Sequence, residues 1–237
     1  MIIYYKKTKI YYEIYGESHK AVVFLHGWGG NCESFKFVKE KLESNIKTVF
    51  IDFPPFGKSD EPAEIFSMQD YVNICIKIFE INNIQKPILI GHSFGGRVAI
   101  MLASLGYASK LILVNSAGIK PKFNLKKYLK IKTYKLLKKI GCTVKSGSKD
   151  YLQLSSNMKK TFVNIVNTFL EKYAILIVIP TIIYWGKKDR ETPLYMAKKL
   201  NKLIKNSELV VLDNAGHFSY LFNVNHFTKT INSFIFD

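Results

Sequence analysis

The hydrophobic positions of the chain fall into short continuous runs, typical of buried strands, separated by longer stretches with helical spacing. Two N-terminal runs look like an antiparallel pair, Ile2–Tyr5 and Ile10–Tyr15. Six later runs are apolar on both faces: Ala21–Leu25, Thr48–Asp52, Pro87–Ile90, Lys110–Asn115, Thr181–Trp185 and Glu208–Leu212. Strands buried on both faces are typical of parallel sheets covered by helices. The pattern therefore predicts an α/β fold, a mostly parallel sheet of about eight strands with helices on both faces.

The stretches between these strands predict the helices. They are expected near Ser34–Leu42, from Ser67 toward Asn83, from Phe94 to about Leu105, near Pro193–Leu203 and from Val224 to Phe234. Ser67 is a suitable N-cap for the second of them, because serine side chains accept a hydrogen bond from the first turn. With no internal repeat or linker-like tract, residues 1–237 are predicted to form one domain.

The alternation is interrupted between the sixth and seventh strands, over residues 119–178. Asn124 is a suitable N-cap for a lysine-rich helix that ends at Gly141. Ser155 or Ser156 is expected to begin a second helix that runs to Tyr173, since apolar residues recur there at spacings of three and four. The sequence thus predicts a helical cap inserted after the sixth strand.

The longest apolar run, Tyr173–Trp185, is too short for a membrane span of roughly 18 residues, and Pro180 interrupts it. No membrane span is expected.

Residues 1–5 are typical of a strand and not of a signal peptide. The three cysteines are odd in number and have no metal-ligand spacing, which favours reduced thiols, a cytoplasmic location and no metal site.

The formal net charge of +17 raises the question of nucleic acid or anionic membranes. Arg97 and Arg190 are the only arginines, and every other basic residue is lysine. Lysine is poorly suited to the bidentate recognition of phosphates and guanines. We therefore expect no nucleic-acid partner and favour a general lysine bias as the source of the charge.

The segment ILIGHSFGG, residues 88–96, places Ser93 between a buried strand and a helix. In a G-x-S-x-G turn the serine backbone is strained and the flanking positions must be glycine, here Gly91, Gly95 and Gly96. The turn lifts the hydroxyl above the carboxyl edge of the sheet, beside the free N–H groups of a helix start. Ser93 is accordingly a candidate nucleophile, and a capping serine on a tight turn is the structural alternative.

A serine hydroxyl needs a base, and the base needs an acid that orients it. Among five histidines, His217 follows a strand and precedes the last helix, which places it at the same sheet edge as Ser93. His92 adjoins the serine but is expected to point the wrong way. Asp189, soon after the seventh strand, is the favoured acid, with Glu191 and Asp213 as rivals.

Attack on a carbonyl also requires donors for the developing oxyanion. The backbone N–H of Phe94, directly after the candidate nucleophile, is one expected donor. The other is the backbone N–H of Trp28, in the glycine-containing loop HGWGG after the third strand. An ordinary glycine turn is the alternative interpretation of this loop.

These motifs together resemble those of the α/β-hydrolase superfamily, particularly its small esterase-like members with a helical cap. FLHGWGG, DFPPFGKSD, GHSFGG, PTIIYWGKKD and NAGHF occur in the order found in that family. The resemblance implies a Ser93–Asp189–His217 triad that cleaves a carboxylic ester through an acyl-enzyme, without cofactor or metal. The fold also hosts lyases, acyltransferases and receptor-like binding proteins, so a non-hydrolytic function is the alternative.

One departure from the family pattern is Pro55, which stands where that pattern has glycine. Because proline fixes φ near roughly −65°, the loop is expected to bend differently there.

The predicted cap carries fourteen lysines against Asp150 and Glu171. A solvated helix is the simplest interpretation of this charge. An acidic acyl-carrier protein or an anionic lipid surface is the alternative partner. Aromatic residues of the cap suggest small-molecule acyl esters of short to medium length as substrates, namely Phe123, Tyr128, Phe162, Phe169 and Tyr173.

Overall fold

The computed structural model of the chain describes residues 1–42, 45–122 and 153–236. Its strands are β1 (Ile2–Tyr5), β2 (Thr8–Tyr15), β3 (Ala21–Leu25), β4 (Lys47–Ile51), β5 (Ile88–His92), β6 (Lys110–Val114), β7 (Thr181–Gly186) and β8 (Ser207–Leu212). Its helices are α1 (Glu33–Lys39), α2 (Met68–Ile81), α3 (Phe94–Ser104), α4 (Ser156–Val166), α5 (Glu171–Ala174), α6 (Leu194–Leu203), α7 (Ser219–Phe222) and α8 (Val224–Phe236).

The strands form one eight-stranded sheet in the order β1-β2-β4-β3-β5-β6-β7-β8. The pairs β1–β2 and β2–β4 are antiparallel, and all pairs from β4 through β8 are parallel. This confirms the predicted fold class. Val114 pairs with both His92 and Tyr184, so β5, β6 and β7 end at one edge of the sheet.

The sheet is buried on both faces because its strands are apolar at successive positions. Leu89, Leu111 and Ile183 face one core with α2, α3 and α6, whereas Ile90 and Ile112 face the other with α1 and α8. Burial of a side chain of this size contributes about 1.5–3 kcal/mol. Packing of the two cores fixes the ends of the strands, and therefore the positions of the loops that leave the carboxyl edge of the sheet.

The second predicted cap helix is shorter than expected. Ser155 caps α4, its side chain accepting a hydrogen bond from Met158 N at 3.1 Å, but the helix ends at Val166 and not near Tyr173. The side chain of Thr168 donates to the carbonyl of Asn164 at 2.8 Å, and Leu170 N donates to Gly118 O at 2.8 Å. These competing hydrogen bonds turn the chain away from the helix axis. The first predicted cap helix, from Asn124 to Gly141, lies outside the described residues.

The loop after β4 bends at the Pro54–Pro55 peptide, which is cis. Within this loop the residue with a positive φ is Gly57, at 61°, and not Pro55.

Within the described ranges, no helix is both long enough and apolar enough to cross a lipid bilayer.

Candidate active site

The turn between β5 and α3 holds Ser93 in a conformation that few residues adopt, with φ 49° and ψ −108°. A side chain at Gly95 would collide with the backbone of Leu25, and one at Gly96 would collide with the side chain of Ser116. Gly91 likewise lies against the backbone of Gly95. The close approach of β3, β5 and α3 therefore requires glycine at the positions that the sequence singles out, and it presents Ser93 at the edge of the sheet.

His217 and Asp189 meet at the same edge. Nδ1 of His217 lies 2.8 Å from Oδ2 of Asp189, whose side chain has no exposed surface. The loop after β7 carries Asp189, and the loop after β8 carries His217. Since β7 and β8 are parallel neighbours, both loops leave the sheet side by side. The structure thus joins two residues that the sequence places 28 positions apart.

The carboxylate of Asp189 accepts further hydrogen bonds from its surroundings. Thr192 Oγ1 and Asn115 Nδ2 each donate to Oδ2 at 2.6 Å. The backbone N–H groups of Glu191 and Thr192 donate to Oδ1 at 2.8 and 2.9 Å. Burial by itself raises the pKa of Asp189, but hydrogen bonds from His217 and Thr192 outweigh it and lower the pKa to about 2. Asp189 is therefore a fixed negative charge against the imidazole.

Sequence reasoning missed two of these positioning groups. Asn115 follows β6 directly, and its side-chain amide donates to Asp189. It has a φ of 43°, a conformation that asparagine tolerates. Thr192 is three residues after Asp189, and a hydroxyl at this spacing in a turn is a signal that sequence reasoning can use.

The rival acids have different surroundings. Glu191 lies 3.3 Å from the other ring nitrogen of His217, Nε2, and its side chain is 69% exposed. Asp213 is 77% exposed and pairs with Lys187 at 2.7 Å. Of the three candidates, Asp189 alone combines burial with a hydrogen bond to Nδ1 of His217.

Two other histidines near the site have structural contacts. His92 Nε2 lies 3.0 Å from the carbonyl oxygen of His217, and His26 Nε2 accepts a hydrogen bond from Phe53 N at 2.9 Å. Burial lowers the pKa of His92 to about 3 and that of His26 to about 4. Both are neutral near pH 7, and the ring of His92 contacts the loop that holds His217.

The loop after β3 lies directly over Ser93. A Cβ on Gly27 would be 2.7 Å from Nδ1 of His92 and 3.3 Å from Cβ of Ser93, so glycine permits this approach. The rings of Trp28 and Phe94 pack edge to face with centroids 5.7 Å apart. Within the part of the chain that the structure describes, the backbone N–H groups of Trp28 and Phe94 donate to no protein acceptor. Two amides beside the serine thus remain available to a ligand.

A cavity of about 630 Å³ opens onto Ser93 and His217. This volume suits a small organic ligand. Ser93 and His217 both line this cavity, and Ser93 Oγ makes no hydrogen bond to a described residue. The rest of the wall is mainly apolar and aromatic: Trp28, Phe94, Ala117, Leu154, Phe162, Ile165, Val166, Phe218 and Tyr220. Among the described residues that line it, the acidic and basic side chains besides the two histidines His92 and His217 are Arg97 and Glu191.

Among the described residues, no group of three or more histidine, cysteine, aspartate or glutamate side chains is arranged to hold a metal ion. Cys32 and Cys75 are buried free thiols, and burial raises the pKa of each.

Comparison of the sequence with known protein families identifies the family of this chain. The sequence profile described as "alpha/beta hydrolase fold" matches residues 20–131 and 121–224. The chain belongs to the α/β-hydrolase family.

Three similar proteins illustrate the match. The AB hydrolase superfamily protein YisY of Bacillus subtilis (strain 168) is 26% identical over 92% of this chain and 93% of its own length. The 2-hydroxy-6-oxononadienedioate/2-hydroxy-6-oxononatrienedioate hydrolase 2 of Pseudomonas putida is 24% identical over 96% of this chain and 91% of its own length. The esterase EaEST from Exiguobacterium antarcticum superimposes with a TM-score of 0.78 at 26% identity, covering 97% of this chain and 96% of that one.

Proposed function

We propose that this protein is a serine hydrolase that cleaves carboxylic esters through an acyl-enzyme, with Ser93 as nucleophile, His217 as base and Asp189 as the orienting acid. The observation that carries the proposal is the 2.8 Å contact between His217 Nδ1 and buried Asp189, on the wall of the cavity onto which strained Ser93 opens. The match to an esterase over 97% of the chain supports it.

In the first half of the reaction, Ser93 Oγ attacks the ester carbonyl carbon while Nε2 of His217 accepts the hydroxyl proton. Asp189 stabilises the imidazolium that forms, because its carboxylate stays ionised far below neutral pH. The backbone N–H groups of Trp28 and Phe94 donate to the oxyanion. Collapse of the tetrahedral species breaks the bond to the alcohol, which leaves with the proton from His217.

In the second half, His217 removes a proton from water and the resulting hydroxide equivalent attacks the acyl carbon. The carboxylic acid is released and Ser93 recovers its proton. His217 Nε2 lies 3.3 Å from the Glu191 carboxylate, so substrate binding must exchange this contact for one with Ser93 Oγ. Catalytic hydrogen bonds are commonly longer before substrate is bound.

The cavity supports short to medium acyl groups. Its volume of about 630 Å³ has to hold the ester group, the alcohol and the acyl chain together. Phe162, Ile165 and Val166, all from α4, contribute apolar wall, so the described part of the cap belongs to the substrate pocket.

A panel of 4-nitrophenyl esters from acetate to palmitate tests the proposal, with an ester of acyl-carrier protein alongside. We expect turnover of acyl chains of about two to eight carbons, loss of activity in Ser93→Ala, and acid and alcohol as the products. Turnover of no ester, or full activity in Ser93→Ala, would contradict the proposal. If the products are those of a lyase or an acyltransferase, that alternative function is favoured over hydrolysis.

A further inference from the structure

Arg97 is a buried cation on the wall of the cavity. It lies in α3, four residues after Ser93, and only 7% of it is exposed. It is one of two arginines in the chain, and every other basic residue except the histidines is lysine. Arginine presents a planar set of five N–H donors, which suits bidentate binding of a carboxylate.

Only one end of this guanidinium is bound by the protein. Nη1 donates to the carbonyl of Ile165 at 3.0 Å and to that of Thr168 at 2.6 Å. Among the described residues, Nε and Nη2 have no acceptor. The only fully enclosed polar side-chain atoms without a partner in that part of the chain are Thr48 Oγ1 and Asn232 Oδ1. The free N–H groups of Arg97 are therefore not fully enclosed by protein, and Arg97 is one of the residues that line the cavity.

No carboxylate of the described residues forms an ion pair with Arg97. Glu171 is the acid whose charge reaches it, but Glu171 accepts hydrogen bonds from Lys199 at 2.9 Å and from Lys120 N at 3.0 Å. Burial lowers the pKa of Arg97 to about 10, which is the expected effect of desolvation without a neutralising partner. A buried cation with three unused donors is costly unless a ligand completes it.

We infer that Arg97 binds a carboxylate on the acyl part of the substrate, so that the preferred substrate is a half-ester of a dicarboxylic acid. This inference rests on the proposed function of Ser93. Four residues of helix separate the backbone positions of Ser93 and Arg97 by about 6 Å along the axis, and both residues line the cavity, so a carboxylate a few carbon atoms from the ester carbonyl suits this site. Glu191, the other charged side chain among the described wall residues, lies beside Nε2 of His217, where the alcohol leaves, and it repels a carboxylate from that end.

The test compares two esters with equal acyl length, ethyl hydrogen adipate and neutral ethyl hexanoate, by following ethanol release in the purified protein. We expect kcat/KM to be at least tenfold higher for the acidic ester. In Arg97→Gln this preference should disappear, because kcat/KM for the acidic ester should fall at least tenfold more than kcat/KM for the neutral one. Arg97→Lys, which keeps the charge, should retain part of the preference.

The matched control is Lys160→Gln, which removes one positive charge from an exposed position of α4 that does not line the cavity. It should leave both rates and their ratio unchanged. If Arg97→Gln lowers both rates equally, Arg97 only fastens α4 to α3, and the inference is overturned. Equal turnover of the two esters by the unaltered protein overturns it as well.

Binding separates this inference from the proposed function. Calorimetry with Ser93→Ala and ethyl hydrogen adipate should give a dissociation constant at least tenfold lower than in Ser93→Ala/Arg97→Gln. That result supports the carboxylate site even if no ester is hydrolysed, in which case the proposed function alone fails. Hydrolysis of neutral esters without binding of the acidic one has the opposite meaning: the proposed function stands and the carboxylate site is rejected.

Discussion

Asp189 shows how a single side chain is fixed by its neighbours. Its carboxylate accepts hydrogen bonds from Thr192, from Asn115 and from two backbone N–H groups in addition to His217. Together these donors restrict the rotation of the carboxylate. The oxygen that faces His217 is thereby held in place before any substrate arrives, which is the condition for efficient orientation of an imidazole.

Asp189→Asn should lower kcat for ester hydrolysis by about a thousandfold or more. Asparagine keeps the size of the side chain but removes the charge that stabilises the imidazolium, and it allows the wrong tautomer of His217. Steady-state kinetics with a 4-nitrophenyl ester measures the effect. Circular dichroism of the variant establishes that the protein is folded.

Glu191→Gln and Asp213→Asn are the matched controls, because both remove a carboxylate in the same region. Both side chains are mostly exposed, and exposed ion pairs contribute about 0–1 kcal/mol. Each variant should therefore change kcat by less than about fivefold. A thousandfold loss in Glu191→Gln, with little loss in Asp189→Asn, would assign the acid to Glu191 instead.

The residues of the site were predictable to different degrees. Ser93, His217 and Asp189 follow strands or precede helices in recognisable motifs, so their meeting at one sheet edge follows from the parallel topology. Asn115 was not predictable in this way, because its role depends on which side chain lies across the loop, whereas Thr192 follows Asp189 by three residues and has a local signal. Arg97 was noted only as a rare arginine, since burial and the lack of a carboxylate are properties of the folded chain.

At the scale of elements, α2 is tied to β1 through its first turn. Ser67 N donates to Oδ2 of Asp70 at 2.7 Å, and Ser67 and Asp70 form a capping box. The other oxygen of Asp70 accepts from Tyr5 Oη at 3.0 Å and lies 2.9 Å from Nζ of Lys6. One carboxylate thus begins the helix and holds it against the N-terminal hairpin.

Asp70→Asn should lower the free energy of unfolding by about 1–3 kcal/mol, because it weakens a helix cap and a mostly buried charge-assisted hydrogen bond. Urea unfolding measures the change. Glu64→Gln is the control, since Glu64 also pairs with Lys6 at 2.9 Å but is 54% exposed. A cost of less than about 0.5 kcal/mol is expected there, and equal costs in both variants would contradict this account of α2.

The sequence predicted the existence of most elements and missed some of their ends. Ser67 and the apolar spacing after it located α2 because the capping signal is local. In contrast, α4 stops at Val166 although the apolar spacing continues to Tyr173. Besides the local bond from Thr168 to Asn164, tertiary contacts meet the chain at this end: Arg97 binds the carbonyls of Ile165 and Thr168, and Gly118 accepts from Leu170 N. Periodicity alone contains no information on such contacts.

At the scale of the whole molecule, the two buried histidines near the site connect folding to pH. Unfolded histidines bind protons below about pH 6.5. In the folded protein, burial lowers the pKa of His26 to about 4 and of His92 to about 3, so both stay neutral there. The unfolded state therefore binds more protons than the folded state below pH 6.5, and the stability falls as the pH falls through this window.

Between pH 6 and pH 5, each of these histidines should reduce the free energy of unfolding by about 1 kcal/mol per pH unit. Urea unfolding at a series of pH values measures this slope. His26→Gln keeps an acceptor for Phe53 N–H but does not titrate, so the contribution of the pair to the slope should fall by about half. An unchanged slope in that variant would show that His26 does not couple folding to pH.

The proposed nucleophile is Ser93, activated by His217 and Asp189. Reaction with a fluorophosphonate, followed by mass spectrometry of the digested protein, tests this role. We expect one covalent adduct on the peptide that contains Ser93, no adduct in Ser93→Ala, and much slower labelling in Asp189→Asn. Absence of labelling in the folded protein, or an adduct that persists in Ser93→Ala, would contradict it.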